Sequence, residues 1–521
     1  MFQKVFPRPV QTKGFPWRVL ALWAIGAIAL LAVGYPLLAS PGTVTVRVDP
    51  ATRTVPVNGT FTVNIVAVVG TEMNPNGLGA YEFDLVYEPN YLEVLPVHNA
   101  GGLGSTGRTV NELGPVDVAV NRKAFGAYSY DGGPPPPAGP GDTVVLATVT
   151  LRAKRVGTTT LNLENALLTD TQANAWPDGA GRNLNVQNST VTITQLPTTW
   201  YFGEGYTGGT FDTYILLSNP STNTAQAKLT FLKPDGSTVE KNLSVGPQSR
   251  ETIKVDDEPG MGNAGFGTKV EVTSGPGVVA ERAMYWSDYS GGNGGHNTIG
   301  ATGLSTAWYF GEGYTGGTFD TYILLSNPDP TQTAQAKLIF LKPDGSTVEK
   351  NVSVGPHSRE TIKVDDEPGM GNVGFGTKVE VTSGPGIVAE RAMYWSDYSG
   401  GNDGHNTIGT TRLSTSWSFG EGYTGGTFDT YILLSNPDPT QTAQVKLTFL
   451  KPDGSTVEKN VPVGPHSRET IKVDDEPGMG NTGFGTKVEV TSGPGIVAER
   501  SMYWSDYLGG NGGHNTIGYP G

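Results

Sequence analysis

The stretch AKLTFLKPDGSTVEKNLSV, residues 227–245, sets the fold of most of this 521-residue chain. Its first residues alternate between apolar and polar, as in a strand with one buried face. The KPDG turn at residues 233–236 follows, in which proline presets φ and glycine supplies a positive φ. Residues 239–245 then alternate again, so the stretch predicts an antiparallel β-hairpin.

This hairpin belongs to a segment that occurs three times in succession, almost letter for letter, at residues 200–300, 308–409 and 417–518. Short alternating runs between turn signals predict about seven strands in each copy. In the first copy they are residues 200–202, 213–217, 227–231, 239–245, 251–255, 267–273 and 278–286. This spacing predicts an immunoglobulin-like sandwich for each copy. The Gly-rich residues 291–295 lack the lysine and helix of a phosphate loop and are predicted to form an ordinary loop.

Each copy also carries a set of short motifs. In the first copy they are WYFGEG at residues 200–205, FDTY at 211–214, VDDEPG at 255–260, ERAMYW at 281–286 and GHNTIG at 295–300. Together they resemble an uncharacterised repeat found at the C-terminal ends of bacterial surface proteins. The third copy departs from that pattern by Ser418 in place of tyrosine. The resemblance implies a surface location and little else about function.

The composition excludes several classes of protein. The absence of cysteine excludes disulfides, thiolate nucleophiles and cysteine-ligated zinc. A formal net charge of −14, with no cluster of lysine or arginine, opposes general binding of nucleic acid. The length indicates several domains rather than one core.

The N-terminal region has the pattern of an exported protein. Residues 1–18 are basic, and the uncharged residues 19–39 would span about 32 Å as a helix, enough to cross a bilayer. The basic flank predicts a cytoplasmic N-terminus with the rest of the chain outside. A cleaved signal peptide is the alternative, but LLAS at residues 37–40 lacks the small residue that cleavage requires. We therefore favour an uncleaved membrane anchor, and either interpretation makes the rest extracellular.

Residues 43–195 form a different domain. The stretch GAYEFDLVYEPNYLEV at residues 79–94 alternates as a strand does, and LATV at residues 146–149 lies in a later strand. These stretches resemble the cohesin domain, whose pattern falls here on Gly79, Phe83, Leu85, Tyr87, Pro89, Leu92 and Val94. The resemblance implies a jelly-roll β-sandwich that binds a dockerin partner. The insertion GGPPPPAGP at residues 132–140 departs from the pattern, and a carbohydrate-binding or spacer sandwich remains the alternative.

Two sets of residues are candidates for ligand binding. Three adjacent carboxylates beside a Gly-rich turn could hold Ca²⁺, the alternative being a solvated turn; they are Asp256, Asp257, Glu258, Asp365, Asp366, Glu367, Asp474, Asp475 and Glu476. Exposed aromatic rings could stack on sugars, the alternative being core packing; the candidates are Trp200, Tyr206, Tyr289, Trp308, Tyr314, Tyr398, Trp417, Tyr423 and Tyr507.

One histidine per copy raises the question of acid–base catalysis. His296, His405 and His514 all lie in GHNTIG, with no nucleophile motif or partner pattern nearby, so we expect a structural role. No pair of carboxylates with glycosidase spacing is evident either. The sequence therefore predicts a protein that is not an enzyme and has no catalytic residues.

We expect an all-β, anchored cell-surface protein without a cofactor apart from Ca²⁺. The short linkers, residues 301–307 and 410–416, predict a semi-rigid stalk, scaffold or adhesin. Its partner would be a dockerin-like protein or a cell-wall polysaccharide. Two alternatives remain open. One is a multivalent carbohydrate-binding protein that gains avidity from three copies. The other is a self-associating subunit of a filament or surface layer.

Overall fold

The computed structural model describes residues 43–95, 98–99, 101–130, 138–179, 181–289, 292–398, 401–507 and 510–521. In these ranges every regular element is a β-strand or a short 3-10 turn, which confirms the all-β prediction. The predicted basic segment and anchor, residues 1–18 and 19–39, lie outside them. No helix within the described ranges combines the length and apolar character needed to cross a membrane. The chain divides into two compact units, Met1–Gln195 and Leu196–Gly521.

The first unit is a sandwich of two sheets. Its strands β1 to β14 are Thr43–Asp49, Thr52–Pro56, Thr60–Val68, Leu78–Val86, Leu92–Val94, His98–Asn99, Thr109–Glu112, Val116–Ala119, Arg122–Tyr130, Thr143–Ala153, Gly157–Asp170, Ala175–Trp176, Asn183–Gln187 and Ser189–Thr194. One sheet has the order β13-β1-β3-β10-β5, with β6 beside β10. The other has the order β2-β14-β11-β4-β9-β7, with β12 beside β11 and β8 beside β9. The pairs β1–β13 and β2–β14 are parallel, and the remaining pairs are antiparallel.

Strand β4 is the centre of the first unit because it is buried on both faces. On the apolar face, the Phe83 ring stacks on that of Phe125 with centroids 5.0 Å apart. The opposite face carries Asp84, whose carboxylate accepts hydrogen bonds from Arg122 at 2.7 Å and from Asn165 at 2.9 Å. The alternation at residues 79–94 therefore predicted the strand and its core face. The burial of its polar face was not predicted.

In the second unit each copy forms two sheets, which have four strands each in the first and second copies, and five and four strands in the third. In the first copy the strands β15 to β22 are Thr199–Phe202, Phe211–Asn219, Ala225–Leu232, Thr238–Val245, Ser249–Lys254, Gly267–Ser274, Val279–Tyr289 and Gly292–Ile299. They form sheets of order β15-β20-β17-β18 and β19-β16-β21-β22. A 3-10 turn, Val255–Asp257, follows β19. The predicted hairpin is the antiparallel pair β17–β18, joined through the KPDG turn.

The second and third copies repeat this arrangement. Strands β23 to β30 are Ala307–Phe310, Phe319–Asn327, Ala334–Leu341, Thr347–Val354, Ser358–Lys363, Gly376–Ser383, Val388–Tyr398 and Gly401–Ile408. Strands β31 to β38 are Ser416–Phe419, Phe428–Asn436, Ala443–Leu450, Thr456–Val463, Ser467–Lys472, Gly485–Ser492, Val497–Tyr507 and Gly510–Ile517, and β39, Tyr519–Pro520, pairs with β31. Tandem sandwiches, as predicted, make up this unit.

The prediction of about seven strands was one short, and the predicted Gly-rich loop is the missing strand. Strand β22 pairs antiparallel with β21, with His296 opposite Met284. Its equivalents β30 and β38 pair in the same way with β29 and β37. Glycines at alternate positions hid this strand from a search for apolar alternation, although their backbone groups form an ordinary ladder.

A buried tryptophan anchors the core of each copy. The rings of Trp200, Trp308 and Trp417 are buried. Their Nε1 groups donate to the carbonyl oxygens of Val278, Ile387 and Ile496 at 2.8, 2.9 and 3.0 Å. The indole N–H has an acceptor inside the protein, so burial of the ring leaves no hydrogen-bond donor unpaired.

Candidate functional site

Successive copies meet through the same two faces at both boundaries. We call one the socket face; in the first copy it consists of Gly203, Glu204, Phe211, Gly265, Arg282, Trp286 and His296. We call the other the plug face; in the second copy it consists of Leu324, Arg359, Glu390, Ala392 and Tyr394. The plug face of the second copy enters the socket face of the first. The plug face of the third copy enters the socket face of the second in the same way.

A buried glutamate is the centre of each boundary. The Glu390 carboxylate accepts the backbone N–H groups of Gly203 and Glu204, both at 2.9 Å. The same carboxylate lies 2.6 Å from Nη1 of Arg282, and both side chains are fully buried. At the second boundary Glu499 accepts the N–H of Gly311 at 2.8 Å and lies 2.9 Å from Arg391. Each boundary thus pairs a buried charge of one copy with a buried charge of the next.

The first boundary buries four charged side chains, which are Glu204, Arg282, Arg359 and Glu390. Burial alone would lower the pKa of the Arg282 guanidinium, but the carboxylates of Glu390 and Glu204 outweigh it, and the pKa is raised. Burial raises the pKa of the Glu390 carboxyl, although Arg282 opposes that effect. The Arg282 Nη2 atom also lies 3.2 Å from Glu204 of its own copy. Removal of one partner would leave a buried charge without full compensation.

A tyrosine beside the glutamate adds an aromatic contact. The Tyr394 hydroxyl donates to Glu204 at 2.9 Å. Its ring packs edge-on against Trp286 and Tyr289, with centroids 5.3 Å away in each case. Tyr503 repeats the hydrogen bond at the second boundary, donating to Glu312 at 2.9 Å. Edge-to-face rings stabilise a contact beyond their buried area.

Two of the GHNTIG histidines, His296 and His405, are buried at the boundaries between copies. Burial lowers the pKa of His296 well below its usual range, and it lowers the pKa of His405 to about 3. The Nε2 atom of His405 lies 3.1 Å from the Tyr503 hydroxyl. Because that hydroxyl gives its proton to Glu312, the neutral imidazole donates through Nε2. A histidine so held is a poor general base at neutral pH.

Glycines allow the two faces to approach closely. A Cβ at Gly265 would overlap the Arg359 guanidinium, and one at Gly267 would overlap the Ser326 hydroxyl. In strand β22, a Cβ at Gly292 would overlap Asn402 of the next copy. The Gly-rich segment is therefore a strand against which a second strand packs, a known use of strand glycine.

The structure separates the nine candidate sugar-binding rings into different environments. Trp200, Trp308 and Trp417 lie in the sandwich cores, so their faces cannot stack on a sugar. Tyr289 and Tyr398 pack against Tyr394 and Tyr503 of the next copy. Tyr206, Tyr314 and Tyr423 pack edge-on against Phe211, Phe319 and Phe428, and Tyr507 packs against Phe428. Most of the aromatic residues therefore stabilise the fold or the boundaries between copies, and sugar binding stays a prediction for the exposed Tyr206, Tyr423 and Tyr507.

The structure does not bring the candidate calcium ligands together. Asp256 accepts the N–H of Thr213 at 2.8 Å, Glu258 pairs with Lys241, and Asp257 is exposed. The same partners recur for Asp365, Asp366, Glu367, Asp474, Asp475 and Glu476. Neighbouring carboxylates diverge because the 3-10 turn points them in different directions. Within the described ranges, no group of three acidic, histidine or cysteine side chains is placed to hold a metal ion.

Sequence reasoning missed the boundary residues as a set. On a strand the neighbours Glu281 and Arg282 point to opposite faces, so we expected one of each such pair to face outward. In the second copy both Glu390 and Arg391 are fully buried, because the first copy covers the face that carries Glu390. The available signal was that the charged, aromatic and glycine residues of these motifs recur in all three copies, with Ser418 in place of tyrosine as the exception.

No protein-family model and no curated protein matches the chain. Several solved structures are similar to part of it. A non-cellulosomal cohesin from Archaeoglobus fulgidus is 18% identical over 29% of this chain and 92% of its own, with a TM-score of 0.22. A type I cohesin–dockerin complex from Clostridium thermocellum is 13% identical over 31% of this chain and 100% of the matched chain, with a TM-score of 0.23. The seventh ScaB type I cohesin from Pseudobacteroides cellulosolvens is 14% identical over 29% of this chain and 94% of its own, with a TM-score of 0.24.

Proposed function

We propose that the chain is a non-enzymatic structural protein of the cell surface, in which the three copies form a stiff stalk. The observation that supports this most directly is the buried contact of Glu390 with Arg282, repeated by Glu499 with Arg391. A hinge between two copies would have to separate these charges. It would also expose the packed rings of Tyr394 and Trp286 to water, so the closed boundary is favoured by apolar burial as well as by charge pairing.

The linkers between the copies add to this stiffness. Residues 301–307 were expected to be a short linker with limited bending, and in the structure Ala301 and Tyr201 exchange two backbone hydrogen bonds, at 2.8 and 2.9 Å. Ser305 makes a similar pair with Ile387 of the second copy, both at 3.0 Å. Leu304 packs against the core of the second copy. The connection is thus bound to the copies on either side of it.

Distances between labels on the first and third copies test the stalk. The chain has no cysteine, so Gln226→Cys and Gln444→Cys, both at exposed positions, provide two unique attachment points. With spin labels at these two positions, we expect pulsed electron–electron double resonance to give one narrow distance distribution. The same labels combined with Glu390→Ala should give a broader one. A broad distribution in the otherwise unchanged chain would refute the stalk.

A second role, for the first unit, is the binding of a dockerin-like protein. A specific observation favours a protein partner: edge strand β8, with the residue that follows it, exposes Val116, Val118 and Val120. Val120 is 82% exposed. Apolar side chains on an exposed sheet edge are typical of surfaces that bind other chains. Dockerin is the partner that the motifs of residues 79–94 imply.

Calorimetric titration with a panel of dockerins tests this role. We expect saturable binding that Val118→Asp abolishes. The matched control is Val156→Asp, an exposed valine elsewhere in the unit, which should leave binding unchanged. If no dockerin binds, or if both variants bind like the unchanged chain, the proposed partner is wrong. The same titration with cell-wall polysaccharide tests the carbohydrate-binding alternative.

A further inference from the structure

The first copy has a plug face that no other copy covers. Tyr285 stands where Tyr394 and Tyr503 stand in the later copies. Its side chain is 54% exposed, against 6% and 5% for those two. Glu281, the equivalent of Glu390, is exposed as well. The first copy thus presents the same charge and the same ring that are buried at both internal boundaries.

The third copy has a socket face that no other copy fills. The Glu421 side chain is 60% exposed, whereas its equivalents Glu204 and Glu312 are 4% and 5% exposed. A Cβ at Gly420 would meet no atom within 4 Å, whereas one at Gly203 would meet Glu390. This end of the array has the room that a plug face needs.

The open socket also retains the charges that a plug face pairs with. Arg500, the equivalent of Arg282, lies 2.9 Å from Glu421 of its own copy. Its Nη2 atom is 3.2 Å from Nδ1 of His514, as Arg282 approaches His296. Burial lowers the pKa of Arg500, and Glu421 opposes this only in part. A second carboxylate at this place would complete the arrangement seen at the two internal boundaries.

We infer that a second copy of this chain docks here, with the plug face of its first repeat in the socket face of the third repeat. By analogy with Glu390, its Glu281 carboxylate would accept the N–H of Gly420 and pair with Arg500. Its Tyr285 hydroxyl would donate to Glu421. The interface joins two different faces, so two docked chains still have one open plug face and one open socket face. Such head-to-tail contacts extend into filaments unless the rotation closes a ring.

The second copy of the chain is the favoured occupant because its surface is already known to fit. The chain buries this pair of faces twice, with matching charges, and the outer faces are continuous with those boundaries. Inside the chain a short linker supplies an effective concentration in the millimolar range. Between chains the contact therefore requires high concentration, as at a crowded surface.

Two single variants and their mixture test the inference on the full chain. Glu281→Lys places a positive charge opposite Arg500 and blocks the plug face of the first repeat. Gly420→Trp fills the open socket of the third repeat. Both positions are exposed, so we expect unchanged circular dichroism. Sedimentation velocity should show a concentration-dependent series of oligomers for the unchanged chain and monomers for each variant.

The mixture supplies the sharpest result. The chain with Glu281→Lys keeps an open socket, and the chain with Gly420→Trp keeps an open plug, so an equimolar mixture should form heterodimers and nothing larger. The inference is overturned if the unchanged chain stays monomeric up to about 1 mM, the range of the effective concentration inside the chain. It is also overturned if either variant associates like the unchanged chain, or if the mixture stays monomeric. It rests on the same interface as the stalk, but the spin-label distances test the stalk alone.

Discussion

Replacement of Glu390 by alanine should uncouple the first two copies, whereas the same replacement at Glu281 should change little. The two glutamates occupy the same position in the repeat and the same register on their strands. They differ in surroundings, because Glu390 is fully buried against the first copy and Glu281 is exposed. The comparison therefore separates the effect of the boundary from the effect of the strand.

The magnitude follows from the groups that Glu390 satisfies. Without its carboxylate, the N–H groups of Gly203 and Glu204 lose their acceptor inside the protein. Arg282 stays buried with only the Glu204 carboxylate, 3.2 Å away, to offset its charge. Removal of one partner of a buried ion pair costs about 3–5 kcal/mol, a figure that already includes much of the cost of the orphaned groups. We expect Glu281→Ala to change stability by less than about 0.5 kcal/mol.

Urea unfolding followed by tryptophan fluorescence measures this difference. For a domain of this size the free energy of unfolding falls by about 1–3 kcal/mol per M of urea, so the transition of the first two copies should move down by about 1 M or more. Glu499→Ala should have a similar effect on the second boundary. If Glu390→Ala and Glu281→Ala unfold within about 0.5 kcal/mol of each other, the buried charges do not hold the copies together and the reasoning fails.

Three further predictions concern the same boundaries. Burial raises the pKa of Asp403 from its usual 3.8 to about 6, so its contribution to stability is present below about pH 4 and is lost as pH rises through about 6. In thermal unfolding, the stability of the Asp403→Asn variant relative to the unchanged chain should increase as pH rises, by at most about 3 kcal/mol. The same stability difference at pH 4 and pH 7 would contradict this. Tyr394→Phe removes the hydrogen bond to a buried carboxylate and should cost about 1.5–3 kcal/mol in urea unfolding, whereas Tyr285→Phe should be neutral. Gly374→Ala should cost about 1–3 kcal/mol, because its Cβ would overlap the guanidinium of the next copy, and Gly483→Ala, with open space beside it, should cost less in the same assay.

Much of the fold follows from the sequence because strand alternation is a local signal. Residues 227–245 alternate between apolar and polar, and in the observed hairpin Leu229, Phe231 and Val245 are buried while Val239 and Leu243 are half-buried against the core. The strand Gly292–Ile299 has no such signal, since it is defined by backbone pairing and by the neighbour that packs on it. A local pattern cannot show that a glycine is required by a different copy of the repeat.

The candidate site was hidden for a related reason. An aromatic residue near a turn suggests ligand binding when one domain is considered alone, and Tyr289 fits that interpretation. Its ring packs against Tyr394, about a hundred residues away in the chain, and Arg282 contacts Glu390 at a similar separation. Only the packing of the copies shows that these residues bind each other rather than a sugar or an ion.

The residues that make these contacts vary little among the three copies. The second and third copies have different residues at Tyr309 and Ser418, and at Ile339 and Thr448, which lie outside the two faces. Within the plug face, Ala392 of the second copy becomes Ser501 in the third, whose hydroxyl donates to Glu312. The other plug and socket residues stay the same, including Tyr285 in the first copy, which half-exposes its ring to solvent. A stalk of three copies needs two plugs and two sockets, whereas this chain has three of each. A contact that continues from one chain to the next would use the extra pair, and this is the association that the mixture of blocked variants measures.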